Sequence, residues 1–232
     1  LTEVNISDSV TSIGSYAFYE CTALTSLPSG LTSIGSYAFQ GCPNLALTSL
    51  PSGITSIPDS AFCVCSNLAL TSLPNGVTSI GAKAFFNCPN LALTSLPNSL
   101  ISIGDQAFVW CRNISIGEIP EGVVSIGEGV FETRLNDEEI KMPPTIVLPS
   151  TITSTGSEAF AYTNADGDAQ SIITDAIILH ATTPPILGSD VFGAIDMSGL
   201  WPNKIIVPVG CGDAYKTAES WTYYQSIIEE AT

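Results

Sequence analysis

Leu73-Pro74-Asn75-Gly76-Val77-Thr78-Ser79-Ile80-Gly81-Ala82-Lys83-Ala84-Phe85-Phe86-Asn87-Cys88-Pro89-Asn90-Leu91 contains most of one unit of a pattern that runs through most of the chain. Its Ala-Phe pair recurs at 17–18, 38–39, 61–62, 84–85 and 107–108, and Val130-Phe131 and Ala159-Phe160 continue it. The phenylalanines are spaced by 21, 23, 23, 23, 23 and 29 residues. A cysteine follows three places after each of the first five, at Cys21, Cys42, Cys65, Cys88 and Cys111. Proline recurs at 28, 51, 74, 97, 120 and 149, and an Ile-Gly step ends at Gly14, Gly35, Gly81, Gly104 and Gly127.

A phase-locked period in the low twenties marks a leucine-rich-repeat solenoid. Each residue type has a physical task. Proline fixes φ, and the glycine two places later in Leu27-Pro28-Ser29-Gly30 completes type I turn chemistry. The turn separates two short extended pieces, Leu-Thr-Ser-Leu and Leu-Thr-Ser-Ile-Gly. The Ala-Phe segment then turns the chain back, as a single helical or 3₁₀ turn. Ala allows neighbouring coils to approach, and Phe fills the core. No coil can bury its Leu, Ile and Phe alone, so stability requires about three or more in a stack. The expected fold is an α/β, mostly β, right-handed solenoid of about seven coils. It occupies residues 1–162, with a degenerate repeat and an α/β cap over 163–232.

Cys88-Pro89-Asn90-Leu91, Leu73 to Gly81 and Ala84-Phe85-Phe86-Asn87-Cys88 resemble the BspA-like, Treponema pallidum-type leucine-rich repeats of bacterial surface proteins. The resemblance covers about residues 1–162. It implies a secreted or surface-anchored, adhesion-type module whose ligand is a host or microbial protein or a glycan. His180 to Pro185, Asp190-Val191-Phe192, Ile205 to Pro208, Asp213 to Lys216 and Trp221 resemble the ending often appended to such repeats. Asp213 suits the N-cap of a short helix there. Trp221, Tyr223, Tyr224, Ile227 and Ile228 supply its apolar face and close the open end of the solenoid.

Charge excludes some partners. The net charge is −16. Residues 1–117 hold five acids against Lys83 and Arg112, whereas residues 118–232 hold 17 against Arg134, Lys141, Lys204 and Lys216. Such a surface repels nucleic acid and anionic membranes. No long apolar run spans a bilayer. The chain starts at Leu1 without Met or a signal-peptide pattern, which reads as a mature fragment of an extracellular or cell-surface protein, expected to be monomeric.

Candidate binding residues come from register. Leu1 to Ile6 alternates, with Val4 and Ile6 inward and Glu3 and Asn5 outward. Aligned on the prolines, Leu47, Leu70, Leu93 and Ile116 fall at the Glu3 position and would form an exposed apolar stripe. Ser49, Ser72, Ser95 and Glu118 line the adjacent row. The stripe register turns Thr48, Thr71 and Thr94 inward, and a one-residue slip or bulge buries the leucines instead. An exposed stripe favours ligand binding. A buried one favours a spacer that displays other parts of a longer protein. The longest repeat interval, between Phe131 and Phe160, adds an acidic loop with Asp137, Glu138 and Glu139, an accessory binding candidate or merely a solvated turn.

No chemistry converges elsewhere. The five periodic cysteines read as an inward column of free thiols, because parallel Cβ directions suit a disulfide badly. Cys63-Val64-Cys65 has no matching ligand pair for zinc. His180 is the single histidine and reads as structural. Asn164-Ala165-Asp166-Gly167-Asp168 alternates oxygen ligands but lacks the later bidentate Glu of a calcium loop. Neither a phosphate-binding glycine loop nor a nucleophile elbow occurs. The expectation is a non-enzyme with no cofactor and no metal.

Overall fold

A computed structural model describes residues 4–132, 145–163, 169–171, 175–193 and 204–232, with side chains omitted at 162–163 and 169–171. The second extended piece of each unit forms a two-residue strand. These are β1 (Ser12–Ile13), β2 (Ser33–Ile34), β3 (Ser56–Ile57), β4 (Ser79–Ile80), β5 (Ser102–Ile103) and β6 (Ser125–Ile126). β7 (Thr145–Leu148) opens another sheet, β8 (Ser154–Thr155) returns to the first, and β9 (Ala161–Thr163) pairs antiparallel with β10 (Ala169–Ser171). β11 (Ala176–Leu179) and β12 (Ile186–Leu187) follow. β12 extends the six-stranded parallel sheet β12-β8-β6-β5-β4-β3, so an eighth, degenerate coil continues the stack. Along this column Ser faces out in every strand but β12, where Ile186 does, while Ile, or Thr155 and Leu187 late in the column, faces the core.

Glycine after the strand is a packing requirement. A Cβ at Gly104 would lie 2.6 Å from Ala82 N of the preceding coil. Gly35, Gly127, Gly156 and Gly188 face the same kind of backbone wall. Coil 3 breaks the column with Pro58. Gly35, Gly81 and Gly104 each donate N–H to the preceding coil, to Ile13 O, Ile57 O and Ile80 O at 2.7–2.8 Å. Pro58 has no N–H to offer Ile34 O. The ladder splits there, leaving β1-β2 as a separate two-stranded sheet.

The Ala-Phe segment is not a helical or 3₁₀ turn. Tyr16, Tyr37, Ser60, Lys83, Gln106, Glu158 and Asp190 have φ between 50° and 62° at equivalent positions, which a right-handed helix excludes. Alternate amides close short turns within a coil or reach the next coil. Phe85 N donates to Ala107 O at 2.9 Å, and Phe86 N to Lys83 O at 3.1 Å. The proline turns close from the proline carbonyl: Val77 N donates to Pro74 O and Leu100 N to Pro97 O.

The core is a column of eight phenylalanines. Phe18, Phe39, Phe62, Phe85, Phe108, Phe131, Phe160 and Phe192 stack in sequence with centroids 5.3–6.0 Å apart and planes within 26°. Beside it runs the thiol column. Cys42, Cys65, Cys88 and Cys111 donate S–H to the carbonyls of Phe18, Phe39, Phe62 and Phe85 in the preceding coil, at 3.0–3.1 Å. All seven cysteines are free. Burial pushes the Cys42 thiol up to about 11 and Cys111 up to about 12, and it raises Cys63, Cys65 and Cys88.

The C-terminal end is closed by aromatics. β13 (Ile205–Val207) and β14 (Ile228–Glu230) complete a parallel sheet β14-β13-β11-β7, flanking helix α1 (Gly212–Thr217) and a 3₁₀ helix (Glu219–Ile227). Cys211, not Asp213, is the N-cap of α1, and Asp213 sits in its first turn. Trp221 and Tyr224 come from the 3₁₀ helix and pack against the last phenylalanine, Phe192, at 6.2 and 5.4 Å. Their polar ends are satisfied. Trp221 Nε1 donates to Pro185 O at 2.8 Å, and Tyr224 Oη accepts from Phe192 N at 3.3 Å; Tyr215 Oη of α1 donates to Ala181 O at 2.7 Å. Tyr223 is about half exposed and Ile228 is buried.

Candidate binding surfaces of the solenoid

The leucine stripe is not on the surface. Leu70 and Leu93 are fully buried, Ile116 is 4% exposed and Leu47 is half-buried against the core. The reason is local geometry. In Leu70-Thr71-Ser72-Leu73 both leucines turn inward and both middle residues turn out, a spacing of three in place of the two that a strand imposes. Backbone bonds between coils persist without a strand, as Ala92 N donates to Leu70 O and Ser115 N to Leu93 O. Thr48, Thr71, Thr94, Ser49, Ser72, Ser95 and Glu118 are all exposed. At β7 this side of the coil regains true alternation, with Ile146 and Leu148 inward, and β13 in the same sheet also alternates, with Ile205 and Val207 inward.

Among the grooves of the described surface, two shallow ones run across the stacked coils. One, of about 270 Å³, is lined by Ser72, Leu73, Asn75, Ser95, Leu96, Pro97 and Asn98. It brings together Ser72 and Ser95 in a lining that is mostly polar, with Asn75 and Asn98 beside Leu73, Leu96 and Pro97. The second, of about 440 Å³, runs across coils 3 to 6 along the Ser-Ile-Gly strands. Ser79, Ser102 and Ser125 contribute hydroxyls, and Asp59 and Asp105 contribute carboxylates. Those acids are anchored: Asp59 Oδ1 accepts from Ala82 N at 2.8 Å and Asp105 Oδ1 from Glu128 N at 2.9 Å. Next to this groove, Ile101 is 50% and Val124 38% exposed at the position that Thr55 and Thr78 hold in the coils before. The sequence signal for this pair was visible. Aligning on Ile-Gly shows β-branched apolar residues replacing an outward threonine, whereas alignment on proline draws the eye to the leucines.

Other expected features carry less. His180 Nδ1 lies 3.5 Å from Glu121 Oε1, both exposed. Ser150 donates to Glu121 through its N–H at 3.0 Å and its hydroxyl at 2.8 Å, which lowers the Glu121 pKa. The carboxylate is central in this trio, while nucleophile activation needs the imidazole there. Among the described residues no group of three or more His, Cys, Asp or Glu is placed to hold a metal, and no helix is long and apolar enough to cross a membrane. Glu3, the acidic loop of Asp137, Glu138 and Glu139, and the 164–168 turn lie outside the described residues.

Stacked parallel coils, a phenylalanine spine and an aromatic cap define a leucine-rich-repeat solenoid. A model of the BspA type leucine rich repeat region matches residues 1–114 and 69–167 in six copies, and the chain belongs to that family. A leucine-rich repeat protein from Bacteroides ovatus shares the fold, with 22% identity over 95% of this chain and a TM-score of 0.52. The chain spans 63% of that protein's length. The T. pallidum leucine-rich repeat protein is 35% identical, with 53% of this chain and 69% of that one covered and a TM-score of 0.41. A leucine rich cell surface protein of Faecalibacterium prausnitzii is 21% identical, with 100% and 79% covered and a TM-score of 0.49. Among curated proteins, nothing matches the chain.

Proposed function

We propose that this chain is a non-catalytic binding module of a bacterial cell surface or secreted protein, recognising a protein or glycan through the Ser-Ile-Gly side of the solenoid. The observation that carries this reading is the groove of Ser79, Ser102 and Ser125 next to exposed Ile101 and Val124. Binding surfaces combine apolar anchors with convergent polar groups, and this side has both. Six parallel strands fix their spacing, so the surface is pre-organised.

The burial of Leu70, Leu93 and Ile116 favours a second reading. It removes apolar anchors from the Thr-Ser side, leaving a polar surface suited to a spacer that displays other parts of a larger protein. An array of extracellular-matrix proteins and glycans separates the two, run with wild type and with Ile101→Glu/Val124→Glu. Binding by wild type and its loss in a folded double variant supports the module. An array on which wild type binds nothing supports the spacer, and full binding by the variant moves the site elsewhere.

A further inference from the structure

The Ser-Ile-Gly face carries two features side by side, and together they select among ligands. The first is apolar. Ile101 is 50%, Val124 38% and Ile186 72% exposed, and each lies in, or one residue ahead of, a strand of the six-stranded sheet. All three are aliphatic. The groove over coils 3 to 6 is lined by no aromatic side chain, so it lacks the flat surface on which a sugar ring packs.

The second feature is charge. One or two places past the strand glycine, coils 5 to 8 each carry a carboxylate, at Asp105, Glu128, Glu158 and Asp190. Asp105, Glu128 and Asp190 are exposed, Glu158 is half-buried, and Asp105 lines the groove itself. Burial, and then the charges of Glu132, Asp190 and Glu128, raise the Glu158 pKa. Among the described residues no lysine, arginine or histidine forms an ion pair with any of the four; His180 lies beside Glu121 instead. Nor does any group of three described acids converge to hold a metal ion. Carboxylates in such a row repel one another, and a ligand that brings several separated positive charges relieves the repulsion.

The two features flank a common track. In chain order Ser102 and Ser125 fall between the Ile101-Val124 column and the carboxylates. Coils rise about 4.8 Å each, so the row from Asp105 to Asp190 is roughly 14 Å long, the reach of about four or five residues of extended polypeptide, whose alternate side chains point to opposite sides.

We infer that the partner of this face is an extended polypeptide segment bearing lysine or arginine, laid along the solenoid axis with apolar side chains on Ile101 and Val124 and cations toward Glu128, Glu158 and Asp190. The inference rests on the Ser-Ile-Gly side being the binding side. A neutral glycan fits the serines but leaves the carboxylates repelling one another, and an anionic one meets them with like charge.

The test titrates the whole chain into labelled dodecapeptides that alternate valine with lysine, glutamate or serine, or glycine with lysine, and reads fluorescence anisotropy. The Val-Lys peptide should bind, with affinity falling about fivefold or more as salt rises from about 0.05 to about 0.2 M, and the Val-Glu and Val-Ser peptides should not. Glu128→Gln/Asp190→Asn should weaken Val-Lys binding about fivefold or more and flatten its salt dependence, with Tm unchanged or higher. Ile101→Thr/Val124→Thr gives both positions the residue of coils 3 and 4, and should weaken binding about as much while the salt dependence stays. Equal binding of the Gly-Lys and Val-Lys peptides, unaltered in the threonine variant, would reduce the effect to net charge and overturn the inference. So would a wild type that ignores every peptide yet binds a neutral glycan in a manner lost with Ile101→Thr/Val124→Thr, a result that leaves the binding side standing. A wild type that binds neither these peptides nor anything on the matrix-and-glycan array overturns both.

Discussion

Replacing Phe85 by alanine tests whether the phenylalanine spine holds the coils together. Phe85 is fully buried between Phe62 at 5.7 Å and Phe108 at 5.6 Å, with both pairs within 5° of parallel. Truncating a buried phenylalanine costs about 3–5 kcal/mol. The rigid coils on either side leave little scope for collapse, so the upper half of that range is expected. Phe18 has one ring neighbour at 6.0 Å and is only half-buried. About half the transfer term remains there, so Phe18→Ala costs about 1–2 kcal/mol. The assay is urea unfolding, followed by far-UV circular dichroism for the whole stack and, in a background with Trp110 and Trp201 replaced by Phe, by the fluorescence of buried Trp221 for the cap. Each coil touches only its neighbours, so a cavity at coil 4 also weakens coupling between the halves. Phe85→Ala should therefore lower the slope or separate the two probes. Equal costs for Phe85→Ala and Phe18→Ala, with coincident transitions, would refute a spine whose strength lies in two-sided stacking.

Four other outcomes follow from the same geometry. Gly104→Ala forces a Cβ to 2.6 Å from Ala82 N and should destabilise by about 2 kcal/mol or more, whereas Gly14→Ala, with nothing within 4 Å of the added Cβ, changes the unfolding free energy from urea titration by less than about 0.5 kcal/mol. Pro58→Gly restores a donor opposite Ile34 O, and hydrogen exchange should show a protected amide at 58 and a joined ladder from β2 to β3. A thiol reagent at pH 8 should modify the half-buried Cys21 and Cys211 quickly and the five buried cysteines only on unfolding, since burial raises the pKa of each of those five thiols. The same shifts set an alkaline limit. The folded-state values of Cys42 and Cys111 are raised from 9.0 to about 11 and about 12, so their contribution is complete below pH 9 and is lost as pH rises toward 12. Thermal melts at stepped pH should show that fall, and Cys42→Ala/Cys111→Ala should flatten it.

Much of the fold was legible because the repeat is close to literal. Ala-Phe-x-x-Cys at a fixed interval set the spine and the thiol column, and Ile-Gly set the strands. Cap membership was readable from Trp221 and Tyr224, but the 3₁₀ helix that carries them was not, since nothing in Glu219 to Ile227 separates it from a weak α-helix. The Leu-Thr-Ser-Leu piece misled because extended residues are read with a period of two, and here the chain turns its two middle residues outward together. That single local choice takes the expected leucine stripe off the surface. It buried Leu70 and Leu93, kept Ser72 and Ser95 outside, and left Ile101 and Val124 as the exposed apolar pair beside a groove. Pro58 is equally local. It is one substitution in an otherwise regular column, and its effect appears only when the missing donor is set against Ile34 O.

The central claim is that this solenoid binds through the Ser-Ile-Gly side of coils 3 to 6. Hydrogen exchange of the chain with and without a ligand found on the matrix-and-glycan array tests it most directly. Protection should appear at residues 101–105 and 124–127, and it should disappear in Ile101→Glu/Val124→Glu, which weakens binding about tenfold or more while leaving the fold intact. Protection confined to Ser72, Ser95 and their neighbours, or binding that survives in the variant, would contradict it.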